Sequence, residues 1–204
     1  MPRIAPCTNV RSAILEAATS LMETNGFKKT TIDDIAHEVG IGKATIYGYF
    51  QNKQDIALEV VNGYHQTIHE SWKRIAKEDA PVADRVRQML VTKVAIAFDT
   101  ASRYHHSIDE SLACLRPLVL SRREAWLSAD VELLSKLIEQ GVAEGVFAPG
   151  DVEAHARTLI QCILGLMPYS LSREELTRRE QVIDQANQIV DMVLFGIYAR
   201  SDRS

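Results

Sequence analysis

Residues 30–53 read TTIDDIAHEVGIGKATIYGYFQNK and carry the pattern of two short helices joined by a tight turn. Thr31 suits an N-cap, and Asp33 and Asp34 follow it in the first turn, where the helix dipole favours negative charge. The apolar residues of the first helix fall on one face: Ile32, Ile35, Ala36 and Val39. Gly40 comes next, and glycine adopts the left-handed conformation that ends many helices at little cost. We therefore predict a helix that begins at about Ile32 and ends at a glycine turn.

A second helix is predicted directly after this turn, from Lys43 to Phe50. Ile46 and Phe50 are four residues apart and serve as inward anchors. Small, polar and aromatic residues are left with an outward aspect: Lys43, Ala44, Thr45, Tyr47, Gly48 and Tyr49. This is the geometry of a helix-turn-helix, whose second helix enters the major groove of DNA.

The segment resembles the amino-terminal domain of the TetR family of bacterial transcriptional regulators. The resemblance covers residues 10–60 and rests on an ordered set: Asn25-Gly26-Phe27, Thr31-Ile32-Asp33-Asp34-Ile35-Ala36, Gly40, Lys43-Ala44-Thr45-Ile46-Tyr47, Tyr49-Phe50 and Lys53. It implies an all-α protein. Residues 1–52 are expected to form a three-helix DNA-binding domain, and residues 53–204 a helical effector-binding and dimerisation domain.

The predicted DNA contacts fall into two roles, because phosphate contacts position a protein whereas base edges specify sequence. Lys53 and Thr31 each begin a helix, where a side chain and free backbone N–H groups can hold a phosphate. The resemblance implies a backbone contact for Tyr49 as well. Base contacts are expected from Lys43, Thr45 and Tyr47, with Ala44 and Gly48 allowing a close approach. A packing role for Tyr47 is the alternative.

The net charge alone does not indicate a DNA-binding protein. The net charge is −4, and residues 1–60 hold six Lys or Arg against seven Asp or Glu. Affinity is therefore expected to depend on dimerisation and backbone amides, with a moderate dependence on salt. The chain has no apolar run of about 18 residues and no secretory signal, so we expect a cytoplasmic protein without a membrane span.

The rest of the 204-residue chain reads as successive helices. Their predicted ranges are 53–77, 82–98, 116–144, 151–167 and 179–199. The last two are more apolar than a one-faced surface helix requires. In the family that the sequence resembles, such helices pair across a two-fold axis, which implies a homodimer and a near-palindromic operator with half-sites about one helical turn (~34 Å) apart.

The resemblance also implies an effector pocket, which the middle helices, residues 82–145, would enclose. An effector would release the protein from DNA by favouring a dimer whose recognition helices no longer match the half-sites. Candidate lining residues, for which a core position is the alternative, are Trp72, Phe98, Tyr104, His105, Ile108, Trp126, Cys162, Met167 and Tyr169. The sequence names no effector and no cofactor.

No metal site or catalytic site is predicted. His105 and His106 lie near Asp109 and Glu110, but a third and a fourth ligand are missing. The cysteines, Cys7, Cys114 and Cys162, lack ligand spacing and are expected to be free thiols, the last two buried as small hydrophobes. No nucleophile elbow or phosphate loop occurs.

Three classes of function remain. The first is a dimeric repressor released by a small molecule. The second is a DNA-binding protein of the same fold that responds to a protein partner or needs no effector. The third is a helical small-molecule binding protein or enzyme that has kept the fold without binding DNA.

Overall fold

The computed structural model describes residues 9–103 and 108–197, and for residues 108–112 it describes the backbone only. Within these ranges all regular elements are helical, as the sequence predicted. The α-helices are α1 (Val10–Asn25), α2 (Ile32–Val39), α3 (Lys43–Tyr47), α4 (Lys53–Ile75), α5 (Val82–Ser102), α6 (Ile108–Ala143), α7 (Val152–Cys162) and α8 (Arg179–Ile197). Short 3-10 turns at Leu164–Leu166, Pro168–Ser170 and Glu175–Thr177 connect α7 to α8. Among the described helices, none is both long enough and apolar enough to cross a bilayer.

The chain forms two compact units. The first comprises the described residues of Met1–Gly63 and Ala101–Leu120, and the second those of Tyr64–Thr100 and Ser121–Ser204. The functional division at residue 53 stays a prediction, because it concerns which residues bind DNA and which bind an effector.

The first unit is built around α1, α2 and α3. Its core comes from the apolar faces of these helices and the first turns of α4: Ile14, Ala18, Met22, Ile35, Ala36, Val39, Ile46, Phe50, Ile56 and Ala57. An ion pair between Arg11 and Glu59 (2.5 Å) joins α1 to α4. Arg11 also lies over the ring of Phe50, 5.3 Å from its centroid. The end of α3 is thus held from two sides, by its buried anchors and by α1.

The second unit has its own core, to which α7 and α8 contribute one face each. Its largest buried side chains include Trp72, Met89, Leu90, Leu134, Ile138 and Phe147. On α8 the buried residues are Val182, Ala186, Val190 and Leu194, at the spacing of a single helical stripe. The opposite face of α8 stays uncovered in the single chain, and Met192 and Phe195 are each 78% exposed there.

The two largest differences from the predicted helix boundaries lie in α6 and α7. The helix expected to begin at residue 116 begins at Ile108 and contains Pro117, because a long helix tolerates the loss of one backbone hydrogen bond. The helix expected to reach residue 167 ends at Cys162. Met167 is extended (φ −75°, ψ 146°), as the residue before a proline tends to be, so Pro168 starts a separate 3-10 turn.

Candidate nucleic-acid interface

The start of α2 matches the sequence prediction in detail. The Thr31 hydroxyl accepts a hydrogen bond from the backbone N–H of Asp34 (3.2 Å), and the Asp34 carboxylate accepts one from the backbone N–H of Thr31 (2.8 Å). The same hydroxyl donates to that carboxylate at 2.7 Å. These bonds from Thr31 lower the pKa of Asp34. At the other end Gly40 adopts the left-handed conformation (φ 74°), so this reciprocal capping box and a glycine turn fix both ends of α2.

The outer face of α3 carries the residues predicted to read DNA. Ile46 and Phe50 are buried, at 0% and 5% exposure, as predicted for the anchors. Tyr47 and Tyr49 are 53% and 48% exposed, which does not support a packing role for Tyr47. The other exposed members are Lys43, Ala44, Thr45 and Gly48. α3 is shorter than predicted, but a bond from the Phe50 N–H to the Ile46 carbonyl (2.9 Å) continues its turn.

An exposed ion pair links the two helices of the motif. The amine of Lys43 lies 2.6 Å from a carboxylate oxygen of Asp33, and the two side chains are 50% and 68% exposed. The hydrogen bond to Asp33 raises the pKa of Lys43. Because water screens exposed pairs and they contribute little to stability, Lys43 can exchange Asp33 for a DNA acceptor.

Lys53 opens α4 as predicted, and its amine already has partners within the chain. Nζ donates hydrogen bonds to the carbonyls of Phe27 (2.8 Å), Thr30 (2.9 Å) and Lys28 (3.2 Å). It also lies 4.5 Å from the centroid of the Phe27 ring. The phosphate contact of Lys53 stays a prediction. A phosphate would have to compete with these carbonyls for the Lys53 amine.

A capped helix, a glycine turn and a short exposed helix on buried anchors define a helix-turn-helix protein that binds DNA. The family model for bacterial regulatory proteins of the TetR family matches residues 14–60, which contain all of these features. Residues 14–60 thus match the TetR family of bacterial regulatory proteins, and the protein is a DNA-binding transcriptional regulator.

Characterised relatives extend the similarity beyond the motif. The chain is 23% identical over 154 residues to the transcriptional repressor KstR2 of Mycobacterium tuberculosis, covering 73% of this chain and 75% of the relative. It is 22% identical over 198 residues to the fatty acid metabolism regulator protein of Bacillus subtilis, covering 91% and 94%. A crystal structure of a transcriptional regulator from Cytophaga hutchinsonii has the same fold, with a TM-score of 0.73 at 19% identity over 91% of this chain and 97% of the other. Each of these three proteins is named as a regulator or a repressor.

The predicted effector residues occupy different environments. Trp72 and Phe98 are buried, at 0% and 3% exposure, whereas Trp126, Met167 and Tyr169 are partly exposed. Burial raises the pKa of the Tyr169 phenol. Tyr104 and His105 lie outside the described residues, as does His106, and the side chain of Ile108 is not described. The effector role of this set stays a prediction.

Cys162 is exposed at the end of α7, and Cys114 is partly exposed, so the expected burial of these thiols was wrong. Leu159, Ile160 and Ile163 occupy the core face of the same helical turn, which leaves Cys162 on the other side. Both thiols are free, as predicted, whereas Cys7 lies outside the described residues.

A groove of about 320 Å³ lies on the second unit between α5 and α8. It is lined by Asp84, Arg87, Gln88, Val91, Thr92 and Asn187. Arg87 is paired with Asp84 (3.3 Å) and Asp191 (2.5 Å) at its edge. None of the predicted effector residues lines this groove, so it does not support their assignment.

A buried ionic cluster in the second unit was not recognised as a site from the sequence. The Asp130 carboxylate is 1% exposed and lies 2.6 Å from Nζ of Lys93, 3.3 Å from Nε2 of His65 and 3.8 Å from Nδ1 of His69. Burial opposes ionisation of Asp130, but its contacts with His65 and Lys93 outweigh this effect and lower its pKa. The cluster borders a predicted effector residue, because the His65 ring stacks on Trp126 with centroids 5.1 Å apart.

The sequence did contain a signal for this cluster. Lys93 falls on the apolar face of the predicted helix 82–98, and Asp130 is flanked by the buried Leu127 and Val131. A charged residue on a buried face requires a partner of opposite charge. Periodicity alone does not reveal that these two residues are partners, since 37 residues separate them.

Proposed function

We propose that the protein is a homodimeric transcriptional repressor that binds a near-palindromic operator and is released from it by a small-molecule effector. The observation that carries the proposal is the exposed face of α3, where Tyr47 and Tyr49 stand about half exposed above the buried Ile46 and Phe50. A helix that places aromatic and polar side chains in solvent over a rigid base is suited to the major groove.

Each exposed residue of the motif has a proposed contact. Lys43 donates to a guanine edge after leaving Asp33, while Thr45 and Tyr47 contact thymine methyl groups or polar base edges. Tyr49 binds the phosphate backbone, and Thr31 does so by exchanging its hydroxyl bond with Asp34 for one to a phosphate. Ala44 has a small side chain and Gly48 has none, so that α3 can approach the bases closely.

The exposed face of α8 supports the dimer. Met192 and Phe195 are three residues apart, so they lie side by side on one face of the helix, each 78% exposed. Two such large apolar side chains in water favour an association that covers them. A second copy related by a two-fold axis supplies the same surface and places two recognition helices for the two halves of a palindrome.

Effector release requires a ligand that binds the two dimer geometries with different affinities. The predicted lining residues Trp126, Met167 and Tyr169 are partly exposed and largely apolar, which suits an apolar effector with a polar group. The Bacillus subtilis relative is named as a regulator of fatty acid metabolism, so fatty acids are sensible first ligands to test. Because the target is chromosomal DNA, the proposed place of action is the cytoplasm.

The test is selection of bound fragments from the host's genomic DNA by the purified protein, with its mass measured by light scattering. Enrichment of a near-palindrome by a dimer would support the proposal, and loss of that binding with a ligand would support the effector. Enrichment without any ligand response would favour the partner-regulated class. A folded dimer that enriches no fragment at low salt would favour a helical ligand-binding protein.

A further inference from the structure

Lys53 forms three hydrogen bonds to the loop between α1 and α2, which leads into the DNA-binding motif. A lysine ammonium has three N–H donors, and the carbonyls of Phe27, Lys28 and Thr30 take all three. A phosphate could bind this amine only in place of one of these carbonyls. We propose that Lys53 is a positioning residue that anchors the loop between α1 and α2, and that it is not a phosphate ligand. This proposal rests on the proposed role of α2 and α3 in binding DNA.

The loop needs such an anchor because its carbonyl groups have left the α1 helix. Gly26 ends α1 with φ 82° and ψ 160°, and the chain then turns sharply through residues 27–29 before α2 begins. Carbonyls that are partly buried and lack partners are costly, and a charged donor forms stronger hydrogen bonds than a neutral one. The Phe27 ring below the ammonium adds a cation–π contact at 4.5 Å.

Hydrogen bonds also fix the carboxyl-terminal end of the loop, at Thr30. Thr30 has no exposed surface, and its hydroxyl and backbone N–H both donate to the Gly26 carbonyl, at 2.9 Å and 3.3 Å. Thr31 follows immediately and caps α2. Lys53 therefore sets the position of the α2 N-terminus through Thr30, and it acts on DNA through Thr31 and α2 rather than by direct contact.

The two roles of Lys53 differ in their salt dependence. A lysine that neutralises a phosphate contributes close to one unit to the slope of log affinity against log salt. A lysine that is occupied by carbonyls and touches no phosphate contributes little to that slope, although its loss weakens binding by disordering the loop. The slope therefore separates the roles even when both variants bind DNA more weakly.

The experiment compares Lys53→Met and Lys53→Gln with Lys43→Met, in which an exposed amine on the proposed DNA face is removed. Operator affinity is measured over a range of salt concentrations, and the exchange of the Thr30 amide is measured by NMR in the free protein. A urea titration selects the variants that remain folded. The glutamine variant is included because its amide still donates hydrogen bonds and it is the milder change.

The expected result for Lys53→Met is a loss of operator affinity of about tenfold with an unchanged salt slope and faster exchange at Thr30. Lys53→Gln should lose less affinity, again with an unchanged slope, whereas Lys43→Met should lower the slope by about one. A slope lowered by about one in both Lys53 variants, with Thr30 exchange as in the wild type, would overturn the proposal.

Failure of the proposed function can be told apart from failure of this inference. If the wild-type protein selects no operator, the DNA-binding proposal fails. The exchange rate of the Thr30 amide in the free protein still tests the anchoring role of Lys53. Faster exchange in the Lys53 variants would then support the anchoring role, and unchanged exchange would overturn it.

Discussion

The ammonium of Lys93 lies 2.6 Å from a carboxylate oxygen of Asp130, and the two side chains are only 7% and 1% exposed. Lys93 is also 5.7 Å from the centroid of the buried Trp72 ring. The pair joins α5 to α6 inside the second unit, and Trp72 connects it to α4. Desolvation offsets much of the attraction in a buried ion pair, so its net contribution to stability is small. Removing one partner is far more damaging, because the other charge is left buried alone.

The first prediction concerns this pair. Asp130→Asn should lower the free energy of unfolding by about 3–5 kcal/mol, because it leaves the Lys93 ammonium buried without a counter-charge. The double variant Lys93→Met with Asp130→Leu should recover most of that loss. Urea unfolding followed by circular dichroism measures both. If Asp130→Asn unfolds at the wild-type urea concentration, the buried pair has no structural role.

A surface pair provides the control for this experiment. Lys136 and Glu132 are one helical turn apart on α6, 2.8 Å from each other, and their side chains are 65% and 73% exposed. Exposed pairs of this kind contribute little. Lys136→Met should therefore leave the unfolding curve nearly unchanged, which separates the effect of burial from that of losing a charge on α6.

The second prediction is that the folded state loses stability in mild acid. Burial, followed by the charge of Lys73, lowers the pKa of His69, against the opposing influence of Asp130. His65 also faces the imidazole and helps to lower its pKa, and the exposed Glu132 lies within its electrostatic reach. A lowered pKa in the folded state means that the unfolded chain binds the proton more readily. The contribution of His69 is therefore complete above its ordinary pKa of 6.5 and is lost as the pH falls below that value.

The measurement is the free energy of unfolding between pH 7.5 and 5. Asp130 stays ionised throughout this range, because its pKa is lowered from the ordinary value of 3.8. Stability should decline toward pH 5 with a slope of at most ~1.4 kcal/mol per pH unit for one proton. His69→Asn should flatten the decline. An equally steep decline in the His69 variant would show that another group is responsible.

Local signals explain why the motif could be predicted, whereas the partners of Lys53 could not. The Thr31 cap, the Gly40 turn and the Ile46 anchor each depend on residues within one or two helical turns, so sequence spacing identifies them. The partners of Lys53 are carbonyls 23 to 26 residues earlier, and sequence does not show where a carbonyl points. Side-chain chemistry indicated a cation at the start of α4, but its target depends on how the loop folds.

The third prediction tests the proposed dimer surface. Replacing Met192 and Phe195 together by aspartate should convert the dimer to monomer, because two charges would have to be buried in place of two apolar side chains. Light scattering measures the mass, and operator affinity should fall sharply since each monomer carries one recognition helix. Leu120→Asp is the control, an apolar residue that is 48% exposed elsewhere in the chain. A dimer that persists in the double variant would place the interface on another surface.

The fourth prediction concerns how α3 reads sequence. Thr45 is exposed on this helix beside the buried Ile46, so Thr45→Ala should change base preference without disturbing the fold. If Thr45 contacts a base, discrimination among bases at one or two operator positions should fall by about 1–3 kcal/mol. The base preference at the other operator positions should stay as in the wild type. Binding to a library of single-base operator variants measures this directly. Gln51→Ala, an exposed change just beyond the motif, is the control and should leave the preference intact. A uniform loss across the library would assign Thr45 to the phosphate backbone, and an unchanged profile would remove it from the DNA contact altogether.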